Sequence, residues 1–481
     1  MSQDIDLARW FRPENFLLLL FLGLLAWAPF PYGSNRPWAE LALGLGLGAV
    51  LMCWAGVALS GFAAVNLLTR QLALPGVCVG LAMGWALVQS INLVELDRLT
   101  GLTLRPLAHP VWALSGAALG KDLGAYISVD PEKTREALFA AGLSVASFLI
   151  AFGLARERER ASLLFNGIVM LSLAYAVVAI ASFYLHIDFQ AWLMPDARAD
   201  YGRVSGPFIN PNHFATFLAL GTLAALGSFV ENLRQSIVWD RGWRLVMRSG
   251  IHTLTGPSAL HLVAIVIMLS ALLLTQSRGG VIAFLAGTLA LTFMLSFGRD
   301  LSQGEASGRR AIVAVLVAVL GTSLAVSADP LLNRVQTYGL NDTTRTSLAD
   351  SAVKAIQTAP LTGHGFGAFQ RYYPIFADGS VRGDVDEAHN DVLETLADLG
   401  LPAGLAYVAG PVLLASMCFA GCFRRRRDRV FPAVAFAASV VVGLHAFADF
   451  GLQIPAVAVT YAALLGAGVA QSWRTNMDLV R

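Results

Sequence analysis

Charge is scarce in this chain. Only 14% of its 481 residues are Asp, Glu, Lys or Arg, against about 25% in an average soluble domain, and the formal net charge is +2. The basic residues stand in short clusters between apolar runs, so no broad surface exists to neutralise a phosphate backbone, which argues against nucleic acid as a partner. Cysteine is scarce as well. Cys53, Cys78, Cys418 and Cys422 all fall inside apolar stretches, where they act as small packing residues and neither staple an outer loop nor show metal-ligand spacing. No helical stretch carries two histidines at i, i+4 with a third ligand, and no pair of aspartates is spaced to clasp magnesium. The glycine-rich Thr362-Gly363-His364-Gly365-Phe366-Gly367 lacks the Lys-Ser/Thr ending of a phosphate loop. No metal and no cofactor is therefore expected. Internal repeats are missing too, which weakens a transporter built from related halves.

What is abundant is apolar length. Hydrophobic residues make up 56% of the chain, in recurring runs of about eighteen or more, each long enough to cross roughly 30 Å of hydrocarbon as a helix. The sequence predicts an all-α membrane protein of about twelve transmembrane helices. The spans lie near residues 15–32, 39–60, 74–92, 134–154, 162–185, 213–230, 258–276, 279–297, 311–328, 393–420, 431–451 and 454–472. The N-terminus imitates a signal peptide, with Arg9 and Arg12 before the run from Phe16 and Ala26-Trp27-Ala28 as a cleavage-like site. Pro29 follows directly and should hinder cleavage, so the segment reads as a retained first helix. Alternating the spans from an inside N-terminus puts the arginine clusters around Arg156–Arg160, Arg234–Arg248, Arg299–Arg310 and Arg424–Arg429 in cytoplasmic loops, as the positive-inside rule requires. Both termini are then cytoplasmic.

Three outer segments remain: about forty residues before Glu136, the stretch from His186 to Asn212, and a large loop from Asp329 to Asp391 between the ninth and tenth spans. In the last, Ser347 to Thr358 can form an amphipathic helix, and Phe366, Phe369, Tyr372, Tyr373 and Phe376 are expected to supply aromatic surface on a cap over the bundle.

Four polar motifs share this outer side. Tyr201 to Phe214 leads into the sixth span: Asn210-Pro211-Asn212 joins a turn to an N-cap ahead of His213, and Arg203 beside glycines suits a phosphate oxygen. Thr275-Gln276-Ser277-Arg278-Gly279-Gly280 must reverse the chain at the membrane surface, and Arg278 there is either a snorkelling cation or a functional one. Where the large loop meets the tenth span, Asn390 or Asp391 can cap the helix, while Asp391, Glu394 and Asp398 share one side of it. His389, flanked by carboxylates, has the makings of a general base. His445 and Asp449, one turn apart in the eleventh span, are expected to hydrogen-bond to each other as structural support.

Asn210 to Ala215, Ser277-Arg278-Gly279-Gly280, Gly363 to Gly367, His389-Asn390-Asp391 through Gly400 and Gly404, and His445 through Pro455 together resemble the O-antigen ligase and O-antigen polymerase superfamily of bacterial envelope-glycan enzymes. The resemblance divides the chain into helices 1–5 over residues 1–200, a catalytic region over 201–456 with a periplasmic cap at 329–391, and a last helix with a tail over 457–481. It implies a metal-independent, inverting glycosyl transfer at the periplasmic face of the inner membrane, from an undecaprenyl-pyrophosphate-linked glycan to an acceptor hydroxyl. Arg203 and Arg278 would bind the pyrophosphate and His389 would orient or deprotonate the acceptor, with Asn210, Asn212, His213, Ser277, His364, Asn390 and Asp391 contacting substrate around them. The acceptor would be another lipid-linked glycan or lipid A core, with polymerisation preferred, and envelope-polysaccharide assembly proteins are possible partners. A transporter or flippase would instead place ionisable groups near the bilayer midplane.

Overall fold

Proline sets where many of these helices begin. Pro13, Pro37, Pro110, Pro131 and Pro455 each occupy a first-turn position, where the missing N–H has no partner to lose and φ is already helical. Residues 12–60, 70–187, 202–236, 256, 258–296, 321, 343–381, 385–425 and 428–473 are described in a computed structural model, and no strand occurs among them. The helices are α1 (Pro13–Trp27), α2 (Pro37–Leu59), α3 (Ala73–Gln89), α4 (Leu93–Thr100), α5 (Pro110–Leu119), α6 (Pro131–Leu154), α7 (Arg158–Leu185), α8 (Pro211–Ser236), α9 (Ser258–Leu274), α10 (Arg278–Ser296), α11 (Thr343–Thr358), α12 (Phe369–Phe376), α13 (Asp391–Arg424), α14 (Val430–His445) and α15 (Pro455–Ala470).

Each predicted span other than 311–328, which lies outside the described residues apart from Gly321, coincides with one of these helices. Among the described residues, seven helices are both long and apolar enough to cross a membrane: α2, α3 with the turn before it, α6, α7, α8, α10 and α13. Shorter apolar helices, α1, α9, α14 and α15 among them, complete the bundle.

Two helices form its axis. α8 is buried along nearly its whole apolar length, and every residue of α15 from Pro455 to Val469 is buried. Small residues permit that central position, because lipid tails are as apolar as the side chains and helices in a membrane associate by close backbone packing. A Cβ on Gly466 would lie 2.5 Å from the Phe148 carbonyl oxygen of α6, and one on Gly468 would lie 2.1 Å from Ala435 Cβ of α14.

The bundle has two chemically distinct ends. One collects arginines: Arg160 Nε donates to Leu154 O, Arg158 pairs with Asp428, and Arg425 donates to the side chain of Gln471, whose amide in turn donates to Ala155 O. The other end carries the polar motifs and two short helices, α4 and α5, between α3 and α6.

At that second end a small unit built from α11, α12 and the start of α13 has its own core of Leu348, Ala352, Ala355, Phe369, Tyr372 and Tyr373. Phe369, Tyr372 and Tyr373 are thus interior, not the aromatic surface expected from sequence, because α11 and α12 are too short to be stable without burying them. The unit is locked onto a break in α13. Gly400 leaves the helix at φ 76°, ψ 165°, and a Cβ there would meet the Leu361 carbonyl oxygen at 2.6 Å. The break exposes carbonyls that a continuous helix would have used: Ala397 O accepts from His364 N, and Asp398 O accepts from Gly365 N and Gln89 Nε2. Gly363, at φ 68°, comes so close that a Cβ would sit 2.1 Å from Asp398 O. The glycines of Gly363-His364-Gly365-Phe366-Gly367 therefore serve backbone approach to a broken helix.

Candidate functional site

α14 ends at His445, and the next residues turn out of the helix before Asp449. That turn redirects the Asp449 carboxylate away from its own helix and toward the start of α13. His389 meets it there, with Nδ1 3.0 Å from Asp449 Oδ1. The expected pairing of Asp449 with His445 is thereby corrected: His445 Nδ1 lies 2.5 Å from Thr216 Oγ1 of α8 instead. A one-turn spacing brings side chains together only while the chain stays helical.

The position of His389 follows from the first turn of α13. Asn390 caps that helix through Leu393 N at 3.0 Å, and its amide donates to Phe447 O. Asp391 N donates to Ala446 O at 2.8 Å, and Asp391 Oδ2 accepts from Leu452 N. These links dock the α13 start on the 446–452 turn and hold His389 at φ 52°, a conformation few side chains adopt without outside support. His389 keeps 34% of its side chain exposed while Asp449 has none. With Nδ1 on the carboxylate, the Nδ1–H tautomer leaves Nε2 as the ring's acceptor nitrogen.

His213 joins the same carboxylate from α8, with Nε2 3.9 Å from Asp449 Oδ1. The Phe450 ring packs edge-on against both imidazoles, at 4.6 Å from His213 and 5.0 Å from His389. Burial would raise the Asp449 pKa, but the His389 hydrogen bond and the nearby His213 and His445 hold the carboxyl below the ordinary carboxylate value. Neither Asp449 Oδ2 nor His213 Nε2 has a hydrogen-bond partner among the described residues.

The two arginine-bearing turns gather at this end. Val204 N donates to Leu274 O at 3.1 Å and Gln276 Nε2 donates to Gly202 O, which lays Arg203 alongside the α9–α10 reversal. Ser277 Oγ accepts from Gly280 N and caps α10, so Arg278 is that helix's first residue. Gly279 lets this helix end press against His445, whose Cδ2 and Nε2 lie 3.0 Å from where a Cβ would be, and a Cβ on Gly280 would stand 2.7 Å from Ala215 Cβ. Arg203 and Arg278 are both half-buried.

Other sequence-predicted residues are engaged in holding the frame. Asn210 Oδ1 accepts from Asn212 N, and Asn212 O accepts from Thr216 Oγ1, which fixes the first turn of α8. Glu394 accepts from Ala388 N and Gln453, and Asp398 from Gly367 N and the Tyr372 hydroxyl.

His364 stands apart from the His389 group. It is 2% exposed, with Nδ1 3.1 Å from His109 Nε2 and Nε2 3.0 Å from Ala355 O. Expected to contact substrate, it is instead sealed inside the small unit, because its glycine neighbours thread it through the α13 break. Burial lowers the His364 pKa, and burial together with His364 lowers that of His109 to about 4. Burial, with Glu394 next, pushes the partly buried Glu387 well above the usual carboxylate range. Sequence reading also missed Asp449 as the partner of His389, and Gln89, which ties α3 to the break. Long-range pairs leave no periodic trace. Among the described residues no three His, Cys, Asp or Glu side chains are grouped to hold a metal.

Residues 263–408 match the family model for O-antigen ligase. The match covers the Ser277–Gly280 turn, the small unit and His389, and supports placing the chain in the O-antigen ligase and polymerase superfamily as a membrane enzyme of O-antigen ligase type. Arg203, His213, His445 and Asp449 lie outside the matched segment. No curated protein matches the chain.

Proposed function

We propose that this protein is an inner-membrane glycosyltransferase that moves a glycan from undecaprenyl pyrophosphate to an acceptor hydroxyl at the periplasmic face, extending a surface polysaccharide. The observation that carries the reading is the His389–Asp449 pair, 3.0 Å apart beside His213 and at the same end as the two arginine-bearing turns. Asp449 accepts a hydrogen bond from His389 Nδ1–H, so Nε2 acts as general base and takes the proton of the acceptor O–H. The acceptor oxygen bonds to the anomeric carbon as the glycosyl–oxygen bond breaks, and the electron pair leaves with the lipid pyrophosphate. Arg203 and Arg278 bind that leaving group and stabilise its growing charge, so no metal ion is needed. A single displacement inverts the anomeric centre.

The test is transfer by purified protein in liposomes supplied with labelled lipid-pyrophosphate glycan. A ladder of lengthening product is expected, and Arg203→Ala, Arg278→Ala and His389→Ala should each lower turnover by about 10²-fold or more while inserting normally. Joining of glycan to lipid A core without a ladder would make the protein a ligase. Unchanged output from all three variants would remove these residues from the site, and glycan movement across the bilayer without bond formation would make it a flippase.

A further inference from the structure

α5 takes no part in the glycosyl transfer. It spans Pro110–Leu119, ten residues of which none is charged and none fully buried. At 1.5 Å per residue it is roughly 15 Å long, half of a hydrocarbon core about 30 Å thick, so it cannot cross the membrane. Its exposure has helical spacing. Pro110, Ala113, Leu114, Ala117 and Ala118 are exposed, whereas Val111, Trp112, Ser115 and Gly116 are partly covered. Leu114 is 70% and Leu119 62% exposed. Charges flank this outward face without interrupting it: Arg105, paired with Asp97, precedes it, and Lys121 and Asp122 follow.

Hydrogen bonds set the height of α5 along the bundle. The carbonyl of Gln89, the last residue of α3, accepts from Ser128 N at 3.1 Å, and Leu93 N donates to Ala125 O. His109 N donates to Tyr126 O, and Trp112 Nε1 donates to Ser128 O at 2.9 Å. α5 therefore lies beside the end of α3. With the turn before it, α3 is long and apolar enough to span the membrane, and its Leu74, Val77, Leu81 and Leu87 are each more than half exposed, as lipid-facing side chains are. Where such a span ends, hydrocarbon gives way to head groups. The lipid-facing surface of α3 thus stops at the level where α5 offers another apolar face, and an uncharged outward face in that zone is matched by lipid. A second copy of the chain is a poorer fit. A helix face roughly 15 Å by 10 Å falls far short of the roughly 800 Å² per partner that a stable interface buries.

We infer that α5 lies in the plane of the membrane with its Leu114 face sunk into the leaflet at the polar end of the bundle, and that this anchor holds the small unit in place. The connection is short. His109 caps α5 through Val111 N, and its Nε2 lies 3.1 Å from His364 Nδ1. Val129 N donates to His364 O at 2.9 Å. The small unit is thereby tied to the bilayer at a second point besides α13.

Nitroxide depth measurements on the full chain in lipid vesicles test the anchor. The background is Cys53→Ala with Cys78→Ala, since Cys418 and Cys422 are buried. A spin label at Leu114→Cys or Ala118→Cys should collide severalfold more with oxygen than with a nickel chelate, with Gln357→Cys on α11 as the water-exposed reference. Prevailing nickel collisions would place the face in water, and protection from both reagents, or dipolar broadening between labels, would place it against protein or a second copy. Any of these overturns the anchor. Unmodified protein gives an independent reading, in case the variants fail to fold. A phospholipid with a diazirine next to its glycerol should label residues 110–119 more than one with the diazirine at its chain end, and labelling by neither also overturns it. Leu114→Glu should raise amide exchange at residues 355–366 about tenfold or more, the loss expected when one leucine leaves apolar surroundings, while exchange in α15 stays unchanged. Exchange at 355–366 equal to that of wild type would dismiss the hold on the small unit.

Discussion

Two histidine clusters at the same end of this bundle are built on opposite principles. His364 and His109 are saturated: Val111 N donates to His109 Nδ1, His109 Nε2 meets His364 Nδ1, and His364 Nε2 meets Ala355 O. Around Asp449 the accounting is left open, with His389 one-third exposed and both His213 Nε2 and Asp449 Oδ2 unpartnered among the described residues. A saturated buried polar cluster holds structure together, whereas an unsaturated one at a solvent margin keeps hydrogen-bonding capacity for something else. Histidine as a residue type does not distinguish the two; the inventory of partners does.

The comparison breaks most sharply at Asp449. Asp449→Asn keeps the shape but cannot hold the His389 tautomer through an anionic acceptor, so turnover in the liposome assay should fall by about 10²- to 10⁴-fold with unchanged thermal stability. An Asp449→Asn enzyme with near-normal turnover would reduce the pair to a structural contact. At the saturated cluster the effect should appear in stability. Gly363→Ala forces a Cβ against Asp398 O at positive φ and should destabilise the small unit by about 2 kcal/mol or more, read as a lowered Tm. His364→Ala should cost about 1–3 kcal/mol by orphaning its partners, with kcat within about twofold in the protein that remains folded. Loss of kcat at full stability would return His364 to the catalytic group.

A smaller effect separates the clusters by pH. The His109 pKa falls to about 4 in the folded protein, from about 6.5 unfolded. Between those values the opened state binds more protons, so the His109–His364 clasp is intact above about pH 6.5 and loses stability as pH falls toward 4. Amide exchange around residues 105–110 and 355–366, corrected for intrinsic rates, should rise over that window, and His109→Gln should flatten the rise.

Much of the frame was legible because it is local. Apolar run length located the helices, and Ser277-Arg278-Gly279-Gly280 between two runs left only a tight reversal, which Ser277 caps. Span alternation also put Arg158, Arg160 and Arg425 on one side, and they share one end of the bundle; the arginines from Arg241 to Arg248 and from Arg299 to Arg310 lie outside the described residues. The candidate site was half legible: residue types pointed to His389, Arg203 and Arg278 as candidates, whereas Asp449 was expected to pair with His445, one turn away, and meets His389 instead.

The sequence by itself determined where the long apolar helices lie and where several of them turn, because length, hydropathy and turn residues act within a few neighbours. Tertiary structure alone decided that α14 stops short of Asp449 and that α13 breaks at Gly400 to receive Gly363 and His364. Each of these depends on where a second backbone lies once the helices have packed, and no periodicity within one segment encodes the position of another.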